Sequence, residues 1–382
     1  MQWLNSTGIA VSVFFIFFIL GKRNRKRADY LLILINLLMI SFLSLDLLVR
    51  IRLTTVVFFF QSVSTYLLFP VYLFFALDTI QDKIQNNRRW MVLFIPALIS
   101  TIFLISDLFI FHTYDAAALQ KLYDEPPTSY HILYKGNQIL FILALIWLIK
   151  KLHRYAHQIK DEFSFIDPIQ LNWLTQTSWV YLAITVVAIL IFIVSNFQWL
   201  PININSAYTI VSSCIVLAVF YTSFHGIRQY TVAEYYGRLA AEPSTQSSEL
   251  LLPDSSTKYK TSSLTSGELD TIFQNLVLLF DSRKIYLEPK LQLQEVADLL
   301  DITTHNLSQT INSTTGKPFY DFVNEYRVKH LQKLLVDPSK KKFTILALGL
   351  DSGFNSKASL NRIFKEQTGL SPKEYQVRNQ LS

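Results

Sequence analysis

Two hydrophobic patterns divide this chain. Before His225, apolar residues run nearly unbroken for about 17–25 positions at a time. The runs are Trp3–Leu20, Tyr30–Val49, Leu53–Leu77, Met91–Phe111, Ile132–Ile149, Trp179–Ser195 and Ser206–Phe224. A helix needs about 20 apolar residues to cross about 30 Å of hydrocarbon, so these runs predict about seven membrane spans. The third holds Pro70 and a polar stretch from Gln61 to Thr65, which predicts a kink or a pore-facing surface. From Leu291 to Ser382 the pattern becomes helical at the spacing of a soluble domain, and strand-like alternation is missing. The periodicity predicts a short helix Gln294–Leu300, a turn Asp301-Ile302-Thr303 and a second helix Thr304–Asn312. A longer helix Pro318–Val336 follows, with Phe319, Phe322, Val323, Tyr326, Val328, Leu331, Leu334 and Leu335 inward. Then the short-turn-long set repeats as Thr344–Leu350, Asp351–Phe354 and Asn355–Gln367, with Gly353 suited to the sharp turn. The expected fold class is all-α: an N-terminal seven-helix transmembrane bundle plus a C-terminal all-helical domain with two helix-turn-helix units.

Between the halves the chain turns to Ser, Thr, Pro, Glu and Gln from Ala241 to Ser266. Such a stretch buries too little apolar surface to offset its ordering entropy, so it reads as a flexible tether. Arg228–Leu239 before it reads as a juxtamembrane helix. After it, Thr265 and Glu268 have capping-box spacing ahead of Leu269, Ile272, Phe273, Leu276, Leu279 and Phe280. The expected domains are therefore 1–224 in the membrane, 225–266 as juxtamembrane helix and linker, and 267–382 as the soluble domain.

Composition sharpens this division. Charged residues are 16% of the chain against about 25% in soluble domains, and the deficit lies before His225. The net charge of +7 is likewise better split by region. Lys22, Arg23, Arg25, Lys26 and Arg27 fill the first loop. Lys83, Arg88 and Arg89 fill the third, and Lys150, Lys151, Arg154 and Lys160 the fifth. The alternate loops hold Arg50 and Arg52, then Lys121 and Lys135, then no basic residue between Asn196 and Asn205. The positive-inside rule puts the N-terminus outside and the segment after Phe224 in the cytoplasm, which an odd number of spans also requires. Trp3, Trp90, Trp147, Trp173, Trp179 and Trp199 fall at or near span ends, where indole rings favour the headgroup layer. Trp3–Leu20 lacks the basic flank of a secretory signal and reads as the first span.

Ionisable groups within spans are functional candidates by default. Asp46 stands four residues before Arg50, close enough to pair along a helix face; Asp107 and His112 mark the outer end of the fourth span. The simpler reading, and the favoured one, is an ion pair plus snorkelling interfacial groups. The loop His112–Lys135 has the length for a ligand vestibule but no metal-ligand or catalytic spacing. Cys214 is the sole cysteine, so an intramolecular disulfide and a cysteine metal cluster are excluded, and it reads as a small buried hydrophobe. Neither a Gly-rich phosphate loop nor a nucleophile elbow or metal motif occurs, so the reading is non-enzymatic and no cofactor is implied.

Several C-terminal motifs, in order, carry a resemblance. They are Phe319-Tyr-Asp-Phe-Val-Asn-Glu-Tyr-Arg327, Ser352-Gly-Phe-Asn-Ser-Lys357, Asn361-Arg-Ile-Phe-Lys365 and Thr368-Gly-Leu-Ser-Pro372. Together they closely resemble the DNA-binding domain of the AraC/XylS family of transcription regulators, over roughly the last quarter of the chain. With its multi-span front end, the chain looks like the membrane-bound AraC-type regulators of the Bacteroidetes. Phe163-Ser-Phe and Leu171-Asn-Trp-Leu174 resemble a stretch common to those proteins. There are departures: Gly349 stands where the family usually has Ala, Leu360 where Phe is common, and the helix from Thr304 lacks Lys and Arg.

The resemblance maps the base-reading face onto Thr304, His305, Ser308 and Gln309, and onto Lys357, Ser359, Asn361 and Arg362. Their chemistry is suitable, since Gln and Asn can bind adenine bidentately and Arg can grip guanine O6 and N7. Lys357 and Arg362 also fit backbone contacts or solvated charges, and His305 an exposed helix residue. Lys340, Lys341, Lys342, Lys365 and Lys373 would add phosphate attraction that weakens with salt. The resemblance implies a membrane-tethered one-component regulator in a bacterial inner membrane, with double-stranded DNA and membrane lipid as partners. A homodimer would suit paired operator half-sites, and the sensed ligand stays unnamed. The competing reading is a receptor or transporter whose C-terminal helical domain is an accessory or protein-binding module.

Overall fold

The computed structural model describes residues 2–44, 54–80, 94–96, 98–99, 101–102, 128–196, 204–229, 235 and 264–380. They fall into two compact units: Met1–His153 with Leu171–Glu234, and Arg154–Gln170 with Tyr235–Ser382. Apart from one isolated antiparallel bridge between Phe163 and Gln292, secondary structure among the described residues is helical.

The first unit contains α1 (Gln2–Leu20), α2 (Arg27–Leu43), α3 (Thr54–Thr79), α4 (Thr128–Glu162), α5 (Asn172–Asn196) and α6 (Ile204–Arg228); the last turns of α4, from Arg154, count with the second unit. α2 packs against α1, α3 and α6, and α5 against α6. These helices are apolar on nearly every side, as buried or lipid-facing helices are. Phe14, Phe17, Leu143 and Leu217 are 61%, 70%, 59% and 67% exposed, surface that water would penalise and hydrocarbon would not. Asn172–Val194 and Ile210–Arg228 are long and apolar enough to cross a membrane; Asn5–Leu20 and Tyr66–Thr79 are apolar but shorter. Most of the expected span Met91–Phe111 lies outside the described residues, as do Asp46, Arg50, Asp107, His112, the basic loop Lys83–Arg89 and nearly all of the linker.

Polar groups inside this unit tie helix to helix. The Asn36 amide donates to Leu32 O at 2.8 Å and to Ser223 Oγ at 2.9 Å. Tyr72 Oη and Ser178 Oγ are 3.0 Å apart. Near the α1–α2 junction, Lys22 pairs with Asp29 at 2.6 Å and donates to Ile227 O at 2.9 Å, and Lys26 donates to Gln229 O.

The second unit contains α7 (Ser266–Arg283), α8 (Leu293–Leu299), α9 (Thr304–Thr315), α10 (Phe319–Val336), α11 (Ile345–Asp351), α12 (Lys357–Thr368) and α13 (Pro372–Gln380). α7 starts where its capping box predicts, with Thr265 N donating to Glu268 Oε2 at 2.8 Å. α10 is the spine and packs against α9, α11, α12 and α13. Around its first half, Leu276, Phe280, Tyr286, Leu293, Val296, Leu307, Ile311, Phe319, Phe322 and Val323 form one apolar core. Phe280 is its aromatic hub, with ring centroids 5.2 Å from Phe322 and 5.0 Å from Tyr326. The inward set expected for α10 is buried at Phe319, Phe322, Val323, Val328, Leu331 and Leu335, while Tyr326 and Leu334 are half-buried.

The expectation omitted the most unusual member of that core. Arg327 is 1% exposed. Its Nε donates to Tyr286 O at 2.7 Å, Nη2 to Glu288 O at 2.6 Å and to Ser164 Oγ at 3.1 Å, and Nη1 to Ser164 O at 3.3 Å. Asn324 Oδ1 accepts a weaker bond at 3.4 Å. These acceptors are neutral, so a fork of carbonyl dipoles solvates the buried cation in place of water. Removing the guanidinium would strand buried carbonyls, at about 1–3 kcal/mol each. We therefore expect Arg327→Met to destabilise the second unit by about 3 kcal/mol or more. Hydrogen exchange of the full chain would show this as a fall in α10 amide protection of about 100-fold or more; unchanged protection would refute it.

Candidate nucleic-acid interface

Each half of the second unit repeats one construction. α8 ends at Leu300, the chain turns through Asp301 with φ 53°, and Thr303 caps α9 by accepting from Asn306 N at 3.2 Å. α11 is capped at Ser352, the chain turns through Gly353 with φ 88°, and Ser356 caps α12 by accepting from Ser359 N at 3.1 Å. α9 and α12 are both 12 residues long, and both end at a glycine in the left-handed region, Gly316 and Gly369. Their inner faces are apolar: Leu307 and Ile311 in α9, Leu360, Ile363 and Phe364 in α12. What remains outward is polar.

On α9, Thr304, His305, Ser308 and Gln309 stand at helical spacings that share one face. His305 is exposed and the other three are half-buried; Ser308 Oγ accepts from Asn312 Nδ2 at 3.3 Å. On α12, Lys357, Asn361 and Arg362 share an exposed face, and Asn361 Nδ2 donates to Lys357 O at 2.9 Å. Ser359, expected with them, is elsewhere. It is 3% exposed, with its hydroxyl 2.7 Å from Ser356 Oγ and donating to Ser356 O at 3.1 Å, which makes it part of the helix cap. Of the auxiliary lysines, Lys341, Lys342, Lys365 and Lys373 are exposed, whereas Lys340 is half-buried with its ammonium 5.3 Å from the Phe343 ring centre.

Arg362 does not point at open solvent. Its Nη2 meets Asp167 Oδ1 at 2.8 Å and the Tyr320 hydroxyl at 3.1 Å, and Nη1 lies 3.9 Å from Glu366. Burial pushes the Tyr320 phenol above its usual range, against the pull of Arg362, so it stays a neutral acceptor. Lys160 lies 5.6 Å from the Tyr320 ring centre. Two of these groups, Lys160 and Asp167, come from the segment Arg154–Gln170, whose part in this site periodicity does not reveal. The Phe163-Ser-Phe motif was the available signal.

Two family departures are coupled in space. A Cβ on Gly349 would lie 2.6 Å from Leu360 Cδ2, so the branched leucine fills the room an alanine methyl would need. Gly353 has a second reason to be glycine besides its φ: a Cβ there would lie 2.7 Å from Tyr286 O and 2.9 Å from Arg327 Nε.

A helix-turn-helix domain family matches residues 296–378. Two uncharacterised HTH-type transcriptional regulators of Staphylococcus aureus, from strains COL and MSSA476, are each 30% identical over 95 residues. Those matches cover 25% of this chain and 12% of each relative, so the chain spans about an eighth of the curated relatives it matches. A solved structure of a protein of unknown function from Listeria innocua is 25% identical, with a TM-score of 0.25, and the match covers 28% of this chain and 96% of that one. The C-terminal region is thus a helix-turn-helix domain of the kind found in transcription regulators.

Gly353→Ala should cost at least about 2 kcal/mol, because the added methyl meets backbone and the left-handed φ is retained. Thermal unfolding of the full chain followed by α10–α12 hydrogen exchange would register it. A neutral result would mean that the turn relaxes freely.

Proposed function

We propose that this chain is a membrane-tethered one-component transcription regulator of AraC type, binding double-stranded DNA through two helix-turn-helix units. The observation that carries the reading is the duplicated construction on either side of α10, with a polar face on α9 and another on α12. Thr304, His305, Ser308 and Gln309 form the first reading face; Lys357, Asn361 and Arg362 form the second, with Ser359 fixing the start of α12. Each face is one helix wide, as a major groove accepts, and a stiff α10 between them suits readout of successive grooves. The exposed lysines supply sequence-independent phosphate attraction. The HTH-type relatives in Staphylococcus aureus support the regulatory reading.

The exposed apolar surface of the first unit and its two long apolar helices support a membrane location. Together with the basic-loop asymmetry they favour a multi-pass inner-membrane bundle of about seven spans, N-terminus periplasmic and DNA-binding domain cytoplasmic. The spans serve as sensor, and pairing of copies on one membrane suits a homodimer on paired half-sites. The alternative is a receptor or transporter with a protein-binding C-terminal domain; it predicts no base preference.

Selection of bound duplexes from a random pool by the full chain separates these readings. Arg362→Ala should relax preference at one base pair by about 1–3 kcal/mol while sparing the others. Lys365→Ala should weaken all sequences alike and reduce the salt slope by about 1. Absence of any enriched sequence would overturn the regulator reading. Alkaline phosphatase fused after Ser382 should be inactive, and an active fusion would overturn the topology.

A further inference from the structure

Arg362 is the strongest guanine reader on α12, and it is already occupied. We infer that the segment Arg154–Gln170 is an intramolecular inhibitor, clasping the DNA-binding unit through Ser164 and holding Arg362 through Asp167. The clasp has two parts. Its anchor is backbone: Phe163 bridges Gln292, Ser164 N donates to Leu291 O at 3.1 Å, and Ser164 accepts from Arg327 through both O and Oγ. Phe163, Ser164, Ile166 and Ile169 are buried in consequence. Its tip is electrostatic. Three residues beyond the anchor, Asp167 places a carboxylate 2.8 Å from Arg362 Nη2.

A guanidinium gripping guanine O6 and N7 must present its donors to the base, and here one of them is given to a carboxylate. The Asp167 charge also repels a phosphate brought to the same place. DNA that uses Arg362 therefore has to displace Asp167, whereas the anchor at Ser164 need not open. The segment takes in the last turns of α4, and its anchor and tip lie in the chain directly between α4 and α5. Movement of either helix acts on the tip through a few covalent bonds, so the clasp is also the route by which the spans reach the DNA face. The inference rests on the DNA-binding reading and adds its regulation.

The test uses the full chain in lipid nanodiscs and the duplex selected above. Asp167→Ala should tighten binding by about fivefold, the scale of an exposed ion pair. In an Arg362→Ala background the gain should shrink to the smaller part due to phosphate repulsion, and Asp167→Glu should restore wild-type affinity. Without any substitution, the amides of Ile169 and Gln170, which donate to Ile166 O beside the tip, should exchange faster when the duplex is bound. Unchanged or weaker binding by Asp167→Ala, or exchange at 169–170 indifferent to DNA, would overturn the clasp. Absence of specific binding by the wild-type chain would instead overturn the DNA reading beneath it.

An independent observation lies in the first unit. A cavity of about 170 Å³ is walled by Phe69, Tyr72, Phe141 and Tyr181, with Asn137 and Thr185 among its polar lining groups. Asn137 is 6% exposed, and its Oδ1 accepts no hydrogen bond. Buried acceptors are costly to leave unpaired, so this one is aimed at something that donates. Among the described residues, none that lines the cavity is charged, which suits a neutral occupant. An apolar cavity of about 150 Å³ holds benzene, which sets the size. The geometry points to a site for a single-ring aromatic alcohol, its ring against the aromatic wall and its hydroxyl donating to Asn137 Oδ1.

Fluorine NMR of 4-fluorophenol and 4-fluorotoluene with the full chain in nanodiscs, against empty nanodiscs, tests this. The phenol should bind saturably and about tenfold more tightly than the toluene, a margin that Asn137→Leu abolishes without weakening the toluene. Equal binding of the two probes would make the space an apolar or lipid-filled hole and overturn the site, as would binding of neither.

Discussion

A cation in a protein interior must find, in fixed dipoles, what it leaves behind in water. Arg327 does this with main-chain carbonyls drawn from segments far apart in sequence: Tyr286 and Glu288 ahead of α8, and Ser164 from the segment after α4. One side chain thereby fixes where α10 meets the first helix-turn-helix unit and where Arg154–Gln170 attaches. Gly353 must stay bare beside it, since its Cβ would crowd both the Arg327 Nε and the carbonyl that Nε binds. The turn of the second unit, the core of the first and the attached segment all converge on this guanidinium.

Much of the C-terminal unit was legible because its signals are local. The capping box at Thr265 and the apolar periodicity of the later helices placed helix starts to within a residue or two, where Thr303, Thr344 and Ser356 prove to be the caps. What escaped depends on partners distant in sequence. Arg327 reads as an ordinary exposed arginine, and Ser164 and Asp167 as loop residues, until contacts more than 150 positions apart are seen. Ser359 escaped differently: a serine three residues after an N-cap serine can turn into the cap as easily as toward a groove. The readable faces of α9 and α12 followed from periodicity and resemblance together. In the first unit, apolar run length located helices but could not say which of their polar groups would be left lining a cavity, as Asn137 is.

The two reading faces are chemically unequal. The face on α12 carries Lys357 and Arg362, while the one on α9, Thr304, His305, Ser308 and Gln309, offers two hydroxyls, a glutamine and an imidazole. Charge-assisted bonds are about twice as strong as neutral ones, so under the proposed DNA-binding reading α12 would dominate affinity and α9 refine it. On that reading, the inferred control at Arg362 sits where it would have the greatest leverage.

The contact between Gly349 and Leu360 constrains how this domain can change over generations. Alanine at 349 drives a methyl against the branched end of Leu360, so the shape of the side chain at 360 limits what 349 accepts. A change at either position therefore calls for a matching change of shape at the other, so the two sites should vary together.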